Sequence, residues 1–388
     1  MTATNAEISA TLVLPYLNHA VRMLEAGYAT AADIDAAMRF GCGYRTGPLA
    51  VLDELGPAAV HDRLLARFEQ TGDHLHRPAD LLARVAADGG SFAGPAGDDA
   101  GLPELRHPIG SVGVVGTGTM ASGIVQVFAQ AGYDVVCIGR SQEKLDGVLA
   151  YLTKNLDRAI ERGKSSAEEK ASVLARVATS TEREALAGAD LVVEAIAEDL
   201  AVKTELFGDL DRICRGGAIL ATTTSSLPIT ELAKATGRPQ DVIGMHFFNP
   251  APVMKLVEVV TTDLTSVAVD ETVRALCSNV GKVAVSCGDR AGFIVNALLF
   301  PYLNDAVRLF EEGEEAAVID AALKEEAGVP MGPFELLDVV GNDVALAIQR
   351  ELFQEFGEPG FAPATALEMK VAAGELGRKT KVGFHDYR

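Results

Sequence analysis

The sequence predicts a doubly wound α/β sheet flanked by two homologous all-α domains. Three observations predict it. A glycine turn joins a buried strand to a helix far inside the chain, at Gly116. The apolar runs that follow alternate with helical stretches. A set of short motifs near the N-terminus recurs in the same order near the C-terminus.

Val112-Gly113-Val114-Val115 reads as a parallel strand buried on both faces. Gly116-Thr117-Gly118-Thr119-Met120-Ala121 follows it, and Ser122 through Ala129 opens a helix. In that context a G-x-G-x-x-G/A run is the dinucleotide-binding fingerprint of a Rossmann-type fold. Gly116 permits the tight turn, Gly118 lets backbone approach a pyrophosphate, and the small Ala121 allows close helix–strand packing. Thr119 and Met120 belong to the same turn, and the helix that follows offers N–H groups and a partial positive charge to an anion. The second strand, Asp134-Val135-Val136-Cys137-Ile138, ends in Gly139, Arg140 and Ser141. An NAD site usually has Asp or Glu there to bind the ribose 2′-hydroxyl. Here no carboxylate repels a 2′-phosphate, and a guanidinium is placed to pair with it. The expectation is NADP(H). The alternative is a solvated Arg140 and loose use of NAD.

Leu191-Val192-Val193-Glu194-Ala195, Ala218-Ile219-Leu220-Ala221 and Val242-Ile243-Gly244-Met245 are further parallel-strand candidates. His246-Phe247-Phe248-Asn249-Pro250 follows the last, at the carboxyl edge where such sheets bind ligands. Histidine titrates near neutrality and suits general acid–base work. Glu258 lies in the apolar run Lys255-Leu256-Val257-Glu258-Val259-Val260, where a carboxylate is costly unless paired. A His246–Glu258 pair would orient the imidazole and raise its basicity. The alternative is a buried structural histidine beside an edge-strand glutamate.

The repeat brackets this sheet. Pro15-Tyr16-Leu17-Asn18 recurs as Pro301-Tyr302-Leu303-Asn304, Ile34-Asp35-Ala36-Ala37 as Ile319-Asp320-Ala321-Ala322, and Gly47-Pro48 with Asp53 as Gly332-Pro333 with Asp338. Both copies show helical periodicity with Gly and Pro breaks, and two copies are too few for a solenoid. The stretch Asp88–Asp99 has the composition of a linker. The expected division is a helical domain over 1–86, a linker over 87–107, the sheet domain over 108–290 and a second helical domain over 291–388.

A net charge of -20 argues against nucleic acid or an anionic membrane as partner, but not against a small polyanion held by a few placed cations. No apolar run is long enough for a bilayer, and Met1 to Glu7 lacks signal-peptide character. Five scattered cysteines read as reduced thiols of a cytoplasmic protein, with no metal site and no disulfide framework.

From about Ile109 to Arg388 the chain resembles the L-3-hydroxyacyl-CoA dehydrogenase family, which includes 3-hydroxybutyryl-CoA dehydrogenases. The matching motifs are the Gly116 turn, Val192 through Asp199, Thr224-Ser225-Ser226-Leu227, His246 through Glu258, Gly292 through Asn296, Met331 through Asp338 and Gly377-Arg378-Lys379-Thr380. The resemblance implies an acyl-CoA substrate and an enzyme of fatty acid metabolism. It implies His246 as catalytic base, Glu258 as its orienting partner, Ser225 at the substrate oxygen and the nicotinamide, and Asn296 at the substrate. It further implies cofactor contacts from Glu198, Lys203, Asn249 and Lys379, and coenzyme A contacts from Asn155 and Arg162. Acetoacetyl-CoA/3-hydroxybutyryl-CoA is the expected pair. A carrier-protein-bound or free hydroxy acid is the alternative, and an inactive scaffold the alternative of another class.

The chain departs from the family pattern in three ways. Gly139 replaces the usual Asp, Thr223 replaces an Asn ahead of the serine pair, and a copy of the C-terminal helical domain precedes the dinucleotide domain, with Ala10 in the place of Asn296. Such C-terminal domains commonly pair in a homodimer. The expectation is therefore an internal pseudo-dimer of the two copies, and the alternative is a further contact surface for a homo-oligomer.

Overall fold

The computed structural model describes residues 3–92 and 104–388. These fall into two compact units, 104–290 and, together, 3–92 with 291–388.

The first helical segment comprises α1 (Asn5–Glu25), α2 (Ala31–Cys42), α3 (Pro48–Leu55), α4 (Pro57–Thr71) and α5 (Asp80–Asp88). Helix α1 opens with a capping box: Glu7 N–H donates to Thr4 Oγ1 at 3.3 Å, and Thr4 N–H donates to Glu7 Oε2 at 2.8 Å. Thr30 caps α2 through Asp33 N–H, and Gly43, left-handed at φ 72°, ends it. The linker expected from residue 87 begins later. Helix α5 runs to Asp88, and Asp53 accepts from Ser91 Oγ at 2.6 Å and Phe92 N–H at 2.9 Å, which ties the chain down through residue 92. At its other end Arg106 N–H donates to Thr272 Oγ1 at 3.1 Å and its guanidinium pairs with Glu271 at 2.6 Å, so residues 106–107 are already docked. The rest of the expected linker, 93–103, lies outside the described residues.

The sheet unit runs β1 (Ser111–Val115), α6 (Thr119–Gln130), β2 (Asp134–Ile138), α7 (Gln142–Glu161), α8 (Ala167–Ala175), β3 (Val177–Ser180), β4 (Leu191–Glu194), α9 (Leu200–Ile213), β5 (Ile219–Thr222), α10 (Ile229–Lys234), β6 (Val242–Phe247), β7 (Leu256–Thr261), α11 (Val267–Asn279) and β8 (Val283–Gly288). The strands form one sheet in the order β3-β2-β1-β4-β5-β6-β7-β8. All pairings are parallel except β6 with β7. Only residues 248–255 join β6 to β7, too few for a crossover, so β7 must return antiparallel. Strand order reverses between β1 and β4, and the crevice outside the carboxyl ends at such a point is where these sheets bind ligands. The core beneath it on one face of the sheet includes Val112, Val114, Leu191, Ile243 and Val257 of the strands and Phe128 of α6.

The second helical segment comprises α12 (Val295–Glu311), α13 (Ala316–Glu326), α14 (Pro333–Val340), α15 (Asn342–Phe356) and α16 (Thr365–Ala372). The repeated residues perform repeated work. Asn18 donates to Arg77 O at 2.9 Å and accepts from Ala79 N–H at 2.8 Å. Asn304 donates to Ala362 O at 2.9 Å and accepts from Ala364 N–H at 2.8 Å. Asp35 accepts from the N–H groups of Leu49 and Ala50 at the start of α3, and Asp320 from those of Phe334 and Glu335 at the start of α14. These carboxylates also explain the repeated glycines. A Cβ on Gly47 would stand 2.3 Å from Asp35 Cβ, and one on Gly332 2.4 Å from Asp320 Cβ. The two segments pack on each other, α1 against α12 and α13 and α2 against α12. Tyr16 and Tyr302, equivalent in the repeat, meet with ring centroids 5.6 Å apart.

Candidate active site

The glycine turn leaves the carboxyl end of β1 with Gly116 at φ 138°, where a Cβ would lie 2.3 Å from Ala195 O. Only glycine fits this approach of two loops. A Cβ on Gly118 would meet nothing within 4 Å, and no side chain caps α6 there. The first N–H groups of α6, at exposed Thr119 and half-buried Met120, thus face an open space suited to an anion. Ala121 is buried against the turn. Farther along α6, a Cβ on Gly123 would stand 3.1 Å from Ala251 Cβ, so the helix packs on the loop that follows His246. Lys282 donates to Ala251 O at 2.6 Å and Met254 O at 2.7 Å and holds that loop from the other side.

Gly139 is glycine for packing as well as for charge: a Cβ there would stand 2.6 Å from Thr117 Cγ2 and 2.8 Å from Leu145 Cδ2. Arg140 is exposed and has no ion pair among the described residues. Ser141 caps α7 through Lys144 N–H at 3.4 Å. On α7 the half-buried Asn155 donates to Gln126 Oε1 at 3.0 Å, and exposed Arg162 forms the C-cap.

At the ends of β4 and β5 a buried charge network carries Ser225. Glu194, 0% exposed, accepts from Lys203 Nζ at 2.8 and 2.9 Å and from Thr222 Oγ1 at 2.6 Å. Lys203, 1% exposed, also reaches Glu198 Oε2 at 3.2 Å. Glu198 accepts from Thr224 Oγ1 and from Ser225 N–H at 2.9 Å. Burial alone would raise the Glu198 carboxyl's pKa. The Lys203 charge and the hydrogen bonds from Thr224 and Ser225 outweigh it and hold the group below its usual range. Lys203 is thus enclosed by carboxylates, and Glu198 is the more exposed end of the chain of contacts. From the sequence Glu194 stands only as a strand residue, and Thr222 lies one residue past the strand candidate that ends at Ala221. The signal was the acid itself, a lone carboxylate at the end of Leu191-Val192-Val193.

His246 and Glu258 are register partners on β6 and β7. Nδ1 of His246 lies 2.6 Å from Glu258 Oε2, with Glu258 0% and His246 8% exposed. The ring of Phe248 sits 4.7 Å from that of His246. Asn249 is exposed just beyond. In the helical unit, Asn296 is half-buried in the first turn of α12 and Lys379 pairs with Asp343.

Models of known families match most of the chain. The description "3-hydroxyacyl-CoA dehydrogenase, NAD binding domain" fits residues 111–290. The description "3-hydroxyacyl-CoA dehydrogenase, C-terminal domain" fits twice, at 8–94 and 292–387. A 3-hydroxybutyryl-CoA dehydrogenase of Clostridioides difficile is 46% identical over 275 residues, 71% of this chain and 98% of that protein. The Mycobacterium tuberculosis protein of the same name is 42% identical over 286 residues, 73% of this chain and 100% of its own length. The solved structure of (S)-3-hydroxybutyryl-CoA dehydrogenase from Ralstonia eutropha superposes with a TM-score of 0.71 at 39% identity, covering 72% of this chain and all of that one.

Proposed function

Because the chain belongs to the 3-hydroxyacyl-CoA dehydrogenase family, we propose that it moves hydride between NADP(H) and a short-chain 3-hydroxyacyl-CoA/3-oxoacyl-CoA pair such as 3-hydroxybutyryl-CoA/acetoacetyl-CoA. The observation that carries the reading is the buried His246–Glu258 contact at the carboxyl end of β6. A nicotinamide dinucleotide fits the residues present: the open face at Gly118, the α6 N-terminus and the close turn at Gly116 suit its pyrophosphate. When bound, it accepts hydride from, or returns it to, C3 of the acyl group.

The protein's residues handle the proton and the geometry. Glu258 accepts from Nδ1–H of His246, which fixes the tautomer and leaves Nε2 as the proton-accepting nitrogen. In oxidation His246 takes the hydroxyl proton as hydride leaves C3. In reduction the imidazolium and the Ser225 hydroxyl stabilise the developing alkoxide and His246 returns the proton. Glu198 fixes the Ser225 backbone, and Asn296 contributes to the substrate from the helical domain. Asn155 and Arg162 on α7 serve coenzyme A, Glu198, Asn249 and Lys379 serve the dinucleotide, and Lys203, enclosed by carboxylates, acts on it through Glu198.

The preference for NADP rests on two features. Gly139 supplies no carboxylate to bind a ribose 2′-hydroxyl, and the neighbouring Arg140 is exposed and without an ion pair among the described residues. The N-terminal copy has Ala10 in place of Asn296 and packs α1 on α12 and α13, which supports a structural rather than catalytic part.

Steady-state reduction of acetoacetyl-CoA, free acetoacetate and carrier-bound acetoacetate, each with NADPH and NADH, tests the proposal. The highest kcat/KM should belong to the CoA thioester with NADPH. A better value for the free acid or the carrier-bound form would overturn the substrate, a better value for NADH the cofactor, and no turnover with any pair the enzyme itself.

A further inference from the structure

Asn296 stands in the first turn of α12, and the backbone that leads to it is left-handed at two successive residues. Gly292 has φ 75° and Phe293 φ 47°. Glycine adopts this conformation freely. A bulky residue does not, because its Cβ crowds the following carbonyl oxygen. Among the described residues only Phe293 and Lys381 are non-glycine residues with positive φ. Phe293 is 1% exposed, so its backbone cannot relax without moving an aromatic side chain that is packed in the interior. Burial of the ring holds the chain in a conformation that its own backbone preference opposes.

The turn sets how α12 begins. The Gly292 carbonyl accepts from Ala297 N–H at 3.0 Å, and the Ile294 carbonyl accepts from Leu298 N–H at 3.1 Å. No side chain caps this helix, so the turn itself satisfies N–H groups that a helix start leaves open. The bond from Ala297 to Gly292 closes over Asn296 and fixes the backbone that carries the amide. The fit is close: a Cβ on Gly292 would stand 2.8 Å from Leu352 Cδ2 and 3.0 Å from Ala297 N.

The first helical copy is an internal control. In the register of Pro15 and Pro301, Ala6, Glu7 and Ala10 stand for Gly292, Phe293 and Asn296. Ala6 and Glu7 lie in regular helix within α1, and Glu7 is exposed. The helical fold therefore forms without a left-handed turn at this place. The copy that lacks the turn also lacks the amide.

We propose that Phe293 is a positioning residue for Asn296. Its buried ring keeps the Gly292–Phe293 turn left-handed, the turn starts α12 at Val295, and that start presents the Asn296 amide to the substrate. The inference rests on the reading of Asn296 as a substrate residue.

Phe293→Ala and Phe293→Gly both remove the ring, but only glycine takes the left-handed conformation freely. Alanine should relax toward the helix seen at Glu7. In the full-length protein, kcat/KM for acetoacetyl-CoA reduction should be about fivefold or more lower in Phe293→Ala than in Phe293→Gly, because left-handed backbone disfavours alanine by a factor of roughly 5–30. A packing role alone gives glycine no such advantage, since it leaves the larger void. In an Asn296→Ala background the two variants should agree within about twofold, because the group that they misplace is gone. Gly292→Ala keeps the ring and strains the turn from its other residue. It should lower kcat/KM when Asn296 is present and change it by less than about twofold when Asn296 is alanine, and it carries the test if the Phe293 variants fail to fold. Phe293→Gly no more active than Phe293→Ala, or losses that persist undiminished in the Asn296→Ala background, overturn the inference and leave the dehydrogenase reading intact. Wild-type kcat/KM in Asn296→Ala itself overturns the substrate role of that amide, and this inference with it.

Discussion

His246 and Glu258 face each other across one rung of the antiparallel β6–β7 ladder, with Nδ1 and Oε2 2.6 Å apart. Opposite residues of such a rung share one face of the sheet, so the pair is fixed by backbone register before any side chain adjusts. His246→Ala and Glu258→Gln should each lower kcat by about 10²–10⁴-fold, the range for loss of general acid–base catalysis. Dinucleotide Kd, measured by fluorescence titration, should stay within a few-fold. Wild-type turnover in either variant, with chemistry shown to be rate-limiting by a deuterated cofactor, would remove the pair from the mechanism.

Arg140→Ala should weaken NADPH far more than NADH. Loss of a charge-assisted contact of roughly 1.5–3 kcal/mol corresponds to about one to two decades in affinity. Isothermal titration with both cofactors reads the difference. Equal losses for the two would make Arg140 a general contributor and not a reader of the 2′-phosphate.

Glu194 and Lys203 form an ion pair in which both partners are almost wholly buried. Removing one partner strands the other. Glu194→Leu alone should cost ~3–5 kcal/mol in denaturant unfolding, whereas Glu194→Leu with Lys203→Met should recover much of that loss, because an apolar pair needs no compensation. A double variant no more stable than the single one would mean that Thr222 and Glu198, and not the ion pair, dominate the network.

Asp305 occupies the repeat position that is His19 in the first copy. Burial pushes its carboxyl up to about 7, against the opposing pull of Arg308. Its folded-state pKa lies above the unfolded value, so folding favours the protonated form. Stability is therefore undiminished below the unfolded pKa and falls as pH rises from roughly 4 to 7. Asp305→Asn should gain up to about 4 kcal/mol over wild type at pH 8 and nothing at pH 4. Melting curves at both values check it, and equal shifts at both would assign the effect to packing alone.

Helices α12 and α13 bury apolar faces against α1 within one chain. Deleting residues 1–100 uncovers those faces, so the truncated protein should aggregate or pair through them. Light scattering and activity against the full chain decide this. A truncated protein that is soluble, fully active and unchanged in oligomeric state would defeat the internal pseudo-dimer.

The sequence by itself determined the parts whose logic is local. The Gly116 turn was legible because three small residues between a strand and a helix have one physical use. The helical repeat was legible because Asn18 and Asn304, Asp35 and Asp320, and Gly47 and Gly332 each serve a hydrogen bond or close approach within their own copy, so both copies retain them. The tertiary structure alone decided what depends on residues distant in the chain. It turned the His246–Glu258 possibility into a ladder rung, made Lys203 the centre of a buried network with Glu194, and set Tyr16 against Tyr302. It also gave Gly139 a second reason, because a Cβ there would press on the side chains of Thr117 and Leu145. Composition and periodicity record which face of an element is buried. Which charge or ring it meets there is set only when the strands take their register and the two helical copies close on each other.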